Sequence, residues 1–444
     1  MSCGWMRTAG RGGKAQAGAF RAAGTYAASC AALCTAAGSK QRERACVALP
    51  PLPASPAKTL SHKSRFFRRE MHNMKVLVLS CATGGGHNAC GAGIAEALTD
   101  CGHVADFMPN YLALHGKLVD RAVCGAYVKS VKACPAVFRG VYHIGRAVST
   151  FNHNINIKSP VYYANAGMAG HLAEVIEKGH YDAIVMPHLY PVETITWMKR
   201  NGYRLPLTVA VATDYTSIPF WEETDSDYYV IPHEDCVEDF VRRGIDRDKL
   251  IPLGIPAPRD YTANDKRTAN DTCSDILVMG GSMGAGRMSQ IVGELRGGLI
   301  KNGMPECSIT AVCGNNEKLH ARMLENYGND RHINVLGYVN NVYDYMNKCD
   351  VIFTKPGGLT ATQSAIMRIP AVFMEPLSDC EKANSWLFVR HGMAIAPKRE
   401  NLVDEGMALI SSWSRRQQMI EAQKRCIKGN CGMELVHIIE ELCR

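Results

Sequence analysis

His87 is the residue whose type and place in the chain point most directly to chemistry. It closes the run Cys81-Ala82-Thr83-Gly84-Gly85-Gly86-His87, which follows the apolar stretch Met74-Lys75-Val76-Leu77-Val78-Leu79-Ser80. Glycines let a backbone turn sharply and approach a ligand, and an imidazole can take a proton from a hydroxyl near neutral pH. The plainer role for such a residue is a structural hydrogen bond at a helix start. A second segment, Gly280-Gly281-Ser282-Met283-Gly284-Ala285-Gly286, follows another apolar run. Flexible glycines ahead of a helix N-terminus make an anion site. The same residues fit the nucleophile-elbow pattern G-x-S-x-G around Ser282, which needs a later acid and histidine. His320, His332, His391 and His437 are available, none in a recognisable context. The third segment is Lys355-Pro356-Gly357-Gly358-Leu359-Thr360, after Asp350-Val351-Ile352-Phe353-Thr354. Its free N–H groups suit a diphosphate, Thr360 adds a hydroxyl, and Gln363, on the first helical turn, can meet a ribose.

These segments need strands that end where they begin. From residue 74 strand and helix signals alternate, with strands expected at Val76–Ser80, Asp182–Pro187, Leu207–Thr213 and Tyr228–Ile231. Helices are expected at Ala89–Thr99 and Glu234–Arg243. Gly254–Asp275 is polar, carries Pro256 and Pro258, and reads as a linker. The alternation restarts with strands at Ile276–Met279, Ser308–Cys313, Ile333–Leu336, Val351–Thr354 and Ala371–Met374, before a helical region over about 402–444. Continuous apolar strands belong in parallel sheets covered on both faces. The expected architecture is α/β: two doubly wound, Rossmann-like domains facing a central cleft, spanning 74–255 and 276–444 with 256–275 between them.

Composition narrows the class. The chain has 444 residues, 46% hydrophobic and 21% charged, and a formal charge of +8. Residues 1–73 hold 12 Lys/Arg against two acids, a net of +10, so the rest is near −2. Overall charge therefore gives no nucleic-acid reading of the folded part. Residues 1–73 read as a disordered leader or a start placed too early, with Met74 or Met71 as the alternative beginning. The 18 cysteines are scattered without C-x-x-C or zinc spacing, so no metal site is expected and most thiols read as reduced and buried. No apolar run reaches the length of a transmembrane helix. The segment 111–165 carries Lys117, Arg121, Lys129, Lys132, Arg139, Arg146 and Lys158 against one acid, Asp120, interleaved with apolar residues. That pattern reads either as an anionic-membrane surface element or as a solvated helical excursion.

The motifs together resemble the two-domain GT-B glycosyltransferases, in the branch of monogalactosyldiacylglycerol synthases and processive diacylglycerol glucosyltransferases (glycosyltransferase family 28 type). The resemblance runs from about 74 to 430. It rests on Thr83–His87, Thr213-Asp214-Tyr215, Asp227–Val230, Gly254-Ile255-Pro256, Gly280–Gly284, Val312–Asn315, Leu336–Val339 and Thr354–Thr360. It implies an inverting transfer of a hexose from a UDP-sugar to a hydroxyl of diacylglycerol or a related lipid. No cofactor or catalytic metal is implied, and the work would be done by a cytoplasmic protein peripheral on the inner face of the cell membrane. His87 would be the base or orient the acceptor, with Asp214 assisting, and Gly84, Gly85 and Gly86 would form the acceptor-side loop. Tyr338 and Val339 would hold the uracil. Ser282, Met283, Gly284, Gly357, Gly358 and Thr360 would hold the diphosphate, and Gly281, Cys313, Asn315, Lys355, Pro356, Gln363, Cys380 and Glu381 would complete the donor site. The basic segment aligns with the family's membrane-docking region. The sequence departs from the family at Gln363, where a Glu is usual, and at Asp379-Cys380-Glu381, where Gly-Gln-Glu is usual. Those departures leave open an altered sugar, weakened turnover or a nucleotide-sugar binding protein; a separate alternative on the same fold is a UDP-sugar epimerase, which would need neither a lipid acceptor nor the basic segment.

Overall fold

Side chains that are apolar on both faces of a strand are satisfied only between two layers of helices. The computed structural model of the protein places such strands in two parallel six-stranded sheets. It describes residues 73–81, 85–115, 158–261, 265–282, 284 and 287–444. The expected leader and most of the basic segment lie outside these.

The first half runs β1 (Lys75–Leu79), α1 (Gly85–Asp100), β2 (Val104–Met108), α2 (Pro160–Ala166), α3 (Ala169–Gly179), β3 (Ala183–Met186), α4 (Leu189–Arg200), β4 (Leu207–Val211), β5 (Tyr228–Ile231), α5 (Val237–Arg242) and β6 (Leu250–Pro252). The second runs β7 (Asp275–Met279), α6 (Met288–Lys301), β8 (Ser308–Val312), α7 (Glu317–Tyr327), β9 (Ile333–Leu336), α8 (Val342–Lys348), β10 (Val351–Thr354), α9 (Gly358–Ile366), β11 (Ala371–Phe373), α10 (Asp379–Arg390) and β12 (Ala394–Ile395). It continues into α11 (Leu402–Ile410), α12 (Trp413–Cys426) and α13 (Cys431–Leu442).

Sheet order is β2-β1-β3-β4-β5-β6 in the first half and β12-β11-β10-β7-β8-β9 in the second. Strand order reverses at β1/β3 and at β7/β10, where an open α/β sheet leaves a crevice at its carboxyl edge. Both reversals place a glycine-rich segment there. The loops after β1 and β3 meet at one crevice, and those after β7 and β10 meet at the other.

Three edge strands, β2, β6 and the two-residue β12, were not expected from the sequence. Val104–Met108 carries Asp106 and is partly exposed along its length, so it lacks a continuous apolar signal. Leu250–Pro252 is only three residues long. The helix expected at Glu234–Arg243 is a 3-10 turn, Glu234–Cys236, leading into α5.

The final helix crosses back. Leu435, Val436 and Ile439 of α13 are buried in a core that takes residues from both halves, with α13 packed on α1, and Glu440 Oε1 lies 2.9 Å from His103 Nε2. The ends of the described chain thus tie the halves together at the side away from the cleft loops.

Candidate active site

The cleft between the halves has a volume of about 410 Å³. Gly85, Gly86 and His87 from the start of α1 line one side, with Thr213 and Asp214 after β4. Facing them are Gly281 and Ser282 after β7, Tyr338 and Val339 after β9, Lys355, Gly357, Gly358, Thr360 and Gln363 after β10, and Cys380 and Glu381 on α10.

His87 is fixed through one ring nitrogen. Its Nδ1 lies 2.9 Å from the Pro187 carbonyl and 3.0 Å from Thr213 Oγ1. A carbonyl can only accept, so Nδ1 carries the proton and Nε2 is left with its lone pair. Burial lowers the His87 pKa from the ordinary histidine value, and the Pro187 carbonyl only partly offsets this. The ring is therefore neutral at pH 7, in the tautomer a base needs. His188 packs edge-on against it, with ring centroids 4.5 Å apart. The Tyr190 N–H donates to His188 Nδ1 and caps α4.

Asp214 lines the cleft on the same side as His87. It makes no hydrogen bond to the imidazole among the described residues; its Oδ1 accepts from Asn384 Nδ2 at 2.9 Å. Burial, with the nearby Glu381 charge, pushes its pKa up to about 6 against the pull of that bond. Asn384, fully buried on α10, also donates to the Pro356 carbonyl at 3.0 Å and accepts the Tyr215 N–H at 2.7 Å. One amide thus joins the loop after β4 to the loop after β10. Tyr215 adds a hydroxyl contact to Thr362 Oγ1 at 2.7 Å. A Cβ on Gly358 would stand 2.0 Å from the Thr213 carbonyl oxygen, so the close docking of the halves requires glycine there.

The phosphate side is backbone. Gly357 caps α9 without a side-chain bond, and the first turn of α9 holds no acid. The leading N–H groups of α9 are thus open to an anion at the positive end of the helix dipole. The loop after β7 locks into the loop after β8: the Asn315 N–H donates to the Ser282 carbonyl at 2.9 Å, and Asn316 Nδ2 to the Gly284 carbonyl at 3.0 Å. Gly284 has φ +56°, and a Cβ there would meet the Cys313 carbonyl oxygen at 1.9 Å. Gln363 is buried at the cleft wall and its amide has no protein partner among the described residues. Lys355 Nζ is paired with Glu381, whose other oxygen accepts the Leu377 N–H at 2.7 Å.

Several expected donor residues stand elsewhere. Cys313 is buried with its Sγ 3.6 Å from Met323 Sδ. Asn315 is exposed and contributes only its backbone to the loop lock. Pro356 and Gly284 shape their loops without lining the cleft. Gly84, Met283 and the basic residues Lys117, Arg121, Lys129, Lys132, Arg139 and Arg146 lie outside the described residues. Thr213, Pro187, Asn384 and Tyr261 are site residues that sequence reading missed. Thr213 belongs to the Thr-Asp-Tyr motif, where the carboxylate of Asp214 is the stronger chemical signal. Asn384 has no local signal, because its role exists only once the halves meet.

Known proteins agree with this architecture. Residues 87–257 match the family model described as monogalactosyldiacylglycerol (MGDG) synthase, and residues 275–425 match the glycosyltransferase family 28 C-terminal domain. A processive diacylglycerol beta-glucosyltransferase of Bacillus cytotoxicus is 20% identical over 380 residues, 83% of this chain and 94% of the relative. One from Staphylococcus saprophyticus is 25% identical over 260 residues, 56% of this chain and 65% of the relative, so that alignment spans just under two thirds of its length. Among solved structures, Acinetobacter baumannii MurG superposes with a TM-score of 0.54 at 12% identity, covering 83% of this chain and 99% of the other. The S. aureus MnaA–UDP co-structure gives 0.54 at 12% identity, covering 84% and 97%. Two parallel sheets meeting at a cleft in this way are a GT-B fold. The chain belongs to the monogalactosyldiacylglycerol synthase and diacylglycerol glucosyltransferase family, and is a UDP-sugar-dependent glycosyltransferase.

Proposed function

We propose that the protein transfers a hexose, with inversion, from a UDP-sugar to the hydroxyl of diacylglycerol or a related lipid, at the cytosolic face of a membrane. The observation that carries the reading is the state of His87: Nδ1 is committed to the Pro187 carbonyl, and an unprotonated Nε2 belongs to a ring lining the cleft across from the phosphate loops. The acceptor oxygen attacks the anomeric carbon and its proton passes to Nε2. The bond from that carbon to the diphosphate oxygen breaks, and the electron pair leaves with UDP. The charge that develops there is met by the N–H groups of α9 and of the loop after β7, which are already oriented and need no reorganisation. Tyr338 and Val339 lie at the cleft's edge as a base-binding wall, and Gln363 offers its amide to the ribose.

The lipid acceptor is supported by the printed activity of the relatives. Support for a membrane surface comes from where the chain re-enters the described residues. Lys158, Tyr162, Tyr163, Trp197 and Arg200 line one open hollow, and Tyr163 is 59% exposed. Aromatic rings beside cations suit a headgroup layer. No helix among the described residues is long and apolar enough to cross a membrane.

Calorimetry with UDP, wild type beside Gly358→Arg, tests the donor half of the proposal. Binding lost in the variant supports it; no binding by wild type would remove the uridine donor.

A further inference from the structure

Helix α10 touches both halves along its whole length. Cys380 and Glu381 open it at the cleft and Asn384 holds the loop after β4, while Arg390 ends it with His391 as its C-cap. At that far end the loop after β5 brings up His233 and Asp235 from the first half. His391 Nε2 lies 2.8 Å from Asp235 Oδ2, His233 Nδ1 lies 3.8 Å from Asp235 Oδ1, and the two rings are 5.0 Å apart. One ligand atom from each of the three residues falls within 4.8 Å of the other two.

We propose that His233, Asp235 and His391 bind a divalent transition-metal ion of the zinc class, which clasps the two halves at the end of α10 remote from the cleft. Two imidazoles and a carboxylate with water as the fourth ligand form a borderline-soft donor set that suits zinc. Bond lengths of about 2.0–2.2 Å place tetrahedral ligand atoms roughly 3.4 Å apart. The present separations bracket that value, so side-chain rotation suffices. The tautomer at His233 fits as it stands, whereas His391 Nε2 now donates to Asp235 Oδ2 and ligates once its proton moves to Nδ1. The Asp235 N–H donates to His233 Nδ1 at 3.1 Å, so that nitrogen already carries a lone pair. Metal ligation exchanges this capping bond and the His391–Asp235 hydrogen bond.

One charge opposes the ion. Arg390 Nη1 is 3.4 Å from Asp235 Oδ2, and its guanidinium also lies over the Trp386 ring, 5.0 Å from the centroid. It can stay on the indole when the carboxylate turns to a metal, but it repels a dication there. Glu234, beside the cluster, partly offsets this. The site is thus built for modest affinity.

The test is metal binding by the full chain after chelator treatment, without any substrate, so its outcome is independent of the transferase reading. Zinc uptake is measured by equilibrium dialysis and the coordination by cobalt(II) absorption. Wild type is expected to take up one ion more than His391→Ala or Asp235→Asn, with a tetrahedral cobalt spectrum lacking thiolate charge-transfer bands. Arg390→Met is expected to bind about tenfold more tightly, since it removes a nearby positive charge; a gain of this kind cannot come from misfolding. Equal uptake by wild type and His391→Ala, a thiolate-type spectrum, or weaker binding by Arg390→Met would each overturn the proposal.

Discussion

At the scale of single residues the acid–base chemistry turns on His87. Replacing it with Ala is expected to lower kcat by about 10²–10⁴-fold, the usual contribution of a general base, with UDP affinity unchanged by calorimetry. Because burial lowers the His87 pKa, the acid limb of the wild-type rate profile is expected to fall below the ordinary histidine value of 6.5 and to vanish in the variant. Asp214 gives a separate stability effect. Its folded pKa is raised from 3.8 to about 6, so the folded state binds this proton more tightly than the unfolded chain does. Stability from this group is present below the unfolded value and is lost as pH rises through about 6. Asp214→Asn, which needs no ionisation, is therefore expected to gain in Tm over wild type between pH 4 and pH 7; a constant gap across that range would contradict the assignment. His87 was legible because a glycine run after an apolar strand marks a strand-to-helix turn. Pro187 and His188, which set its tautomer and packing, were not, because they come from β3, which pairs with β1 only in the folded sheet.

Elements position these residues through the two strand-order reversals. The central strands were readable as apolar runs, and β5, β9 and β10 fall on the expected residues. The edge strands β2, β6 and β12 were not, since they are half-exposed or only two to three residues long and need no continuous apolar pattern. The glycine loops lie at the crevice, but two side chains expected there do not line the cleft: Cys313 is buried against Met323 and Asn315 is exposed, with only its backbone in the loop lock. That lock makes its own prediction. Gly284→Ala puts a Cβ into the Cys313 carbonyl and into a left-handed backbone conformation. UDP binding is expected to weaken at least about tenfold, while the distant core keeps its far-ultraviolet signature. Undiminished UDP affinity would show that the lock does not shape the donor site.

At the scale of the whole molecule the halves meet beside the cleft, at the far end of α10 through His391 and Asp235, and through α13. Near the cleft, Asn384 satisfies an acceptor on Asp214, a carbonyl on Pro356 and an N–H on Tyr215. Asn384→Ala leaves these buried groups unpaired and is expected to cost about 1–3 kcal/mol in urea unfolding, the penalty for an orphaned buried polar group. Away from the cleft, α13 returns to pack on α1 of the first half. Nothing in the sequence marked this return, because an amphipathic helix shows that it must be covered but not by which half. The account as a whole stands on a base on one side of the cleft and a donor on the other. Its most direct test is transfer of labelled hexose from UDP-sugars to diacylglycerol in anionic vesicles, wild type beside His87→Ala. The expected result is a UDP-sugar-dependent glycolipid made by wild type and nearly lost in the variant. Epimerised or hydrolysed sugar with no lipid product, or equal product from both proteins, would contradict it.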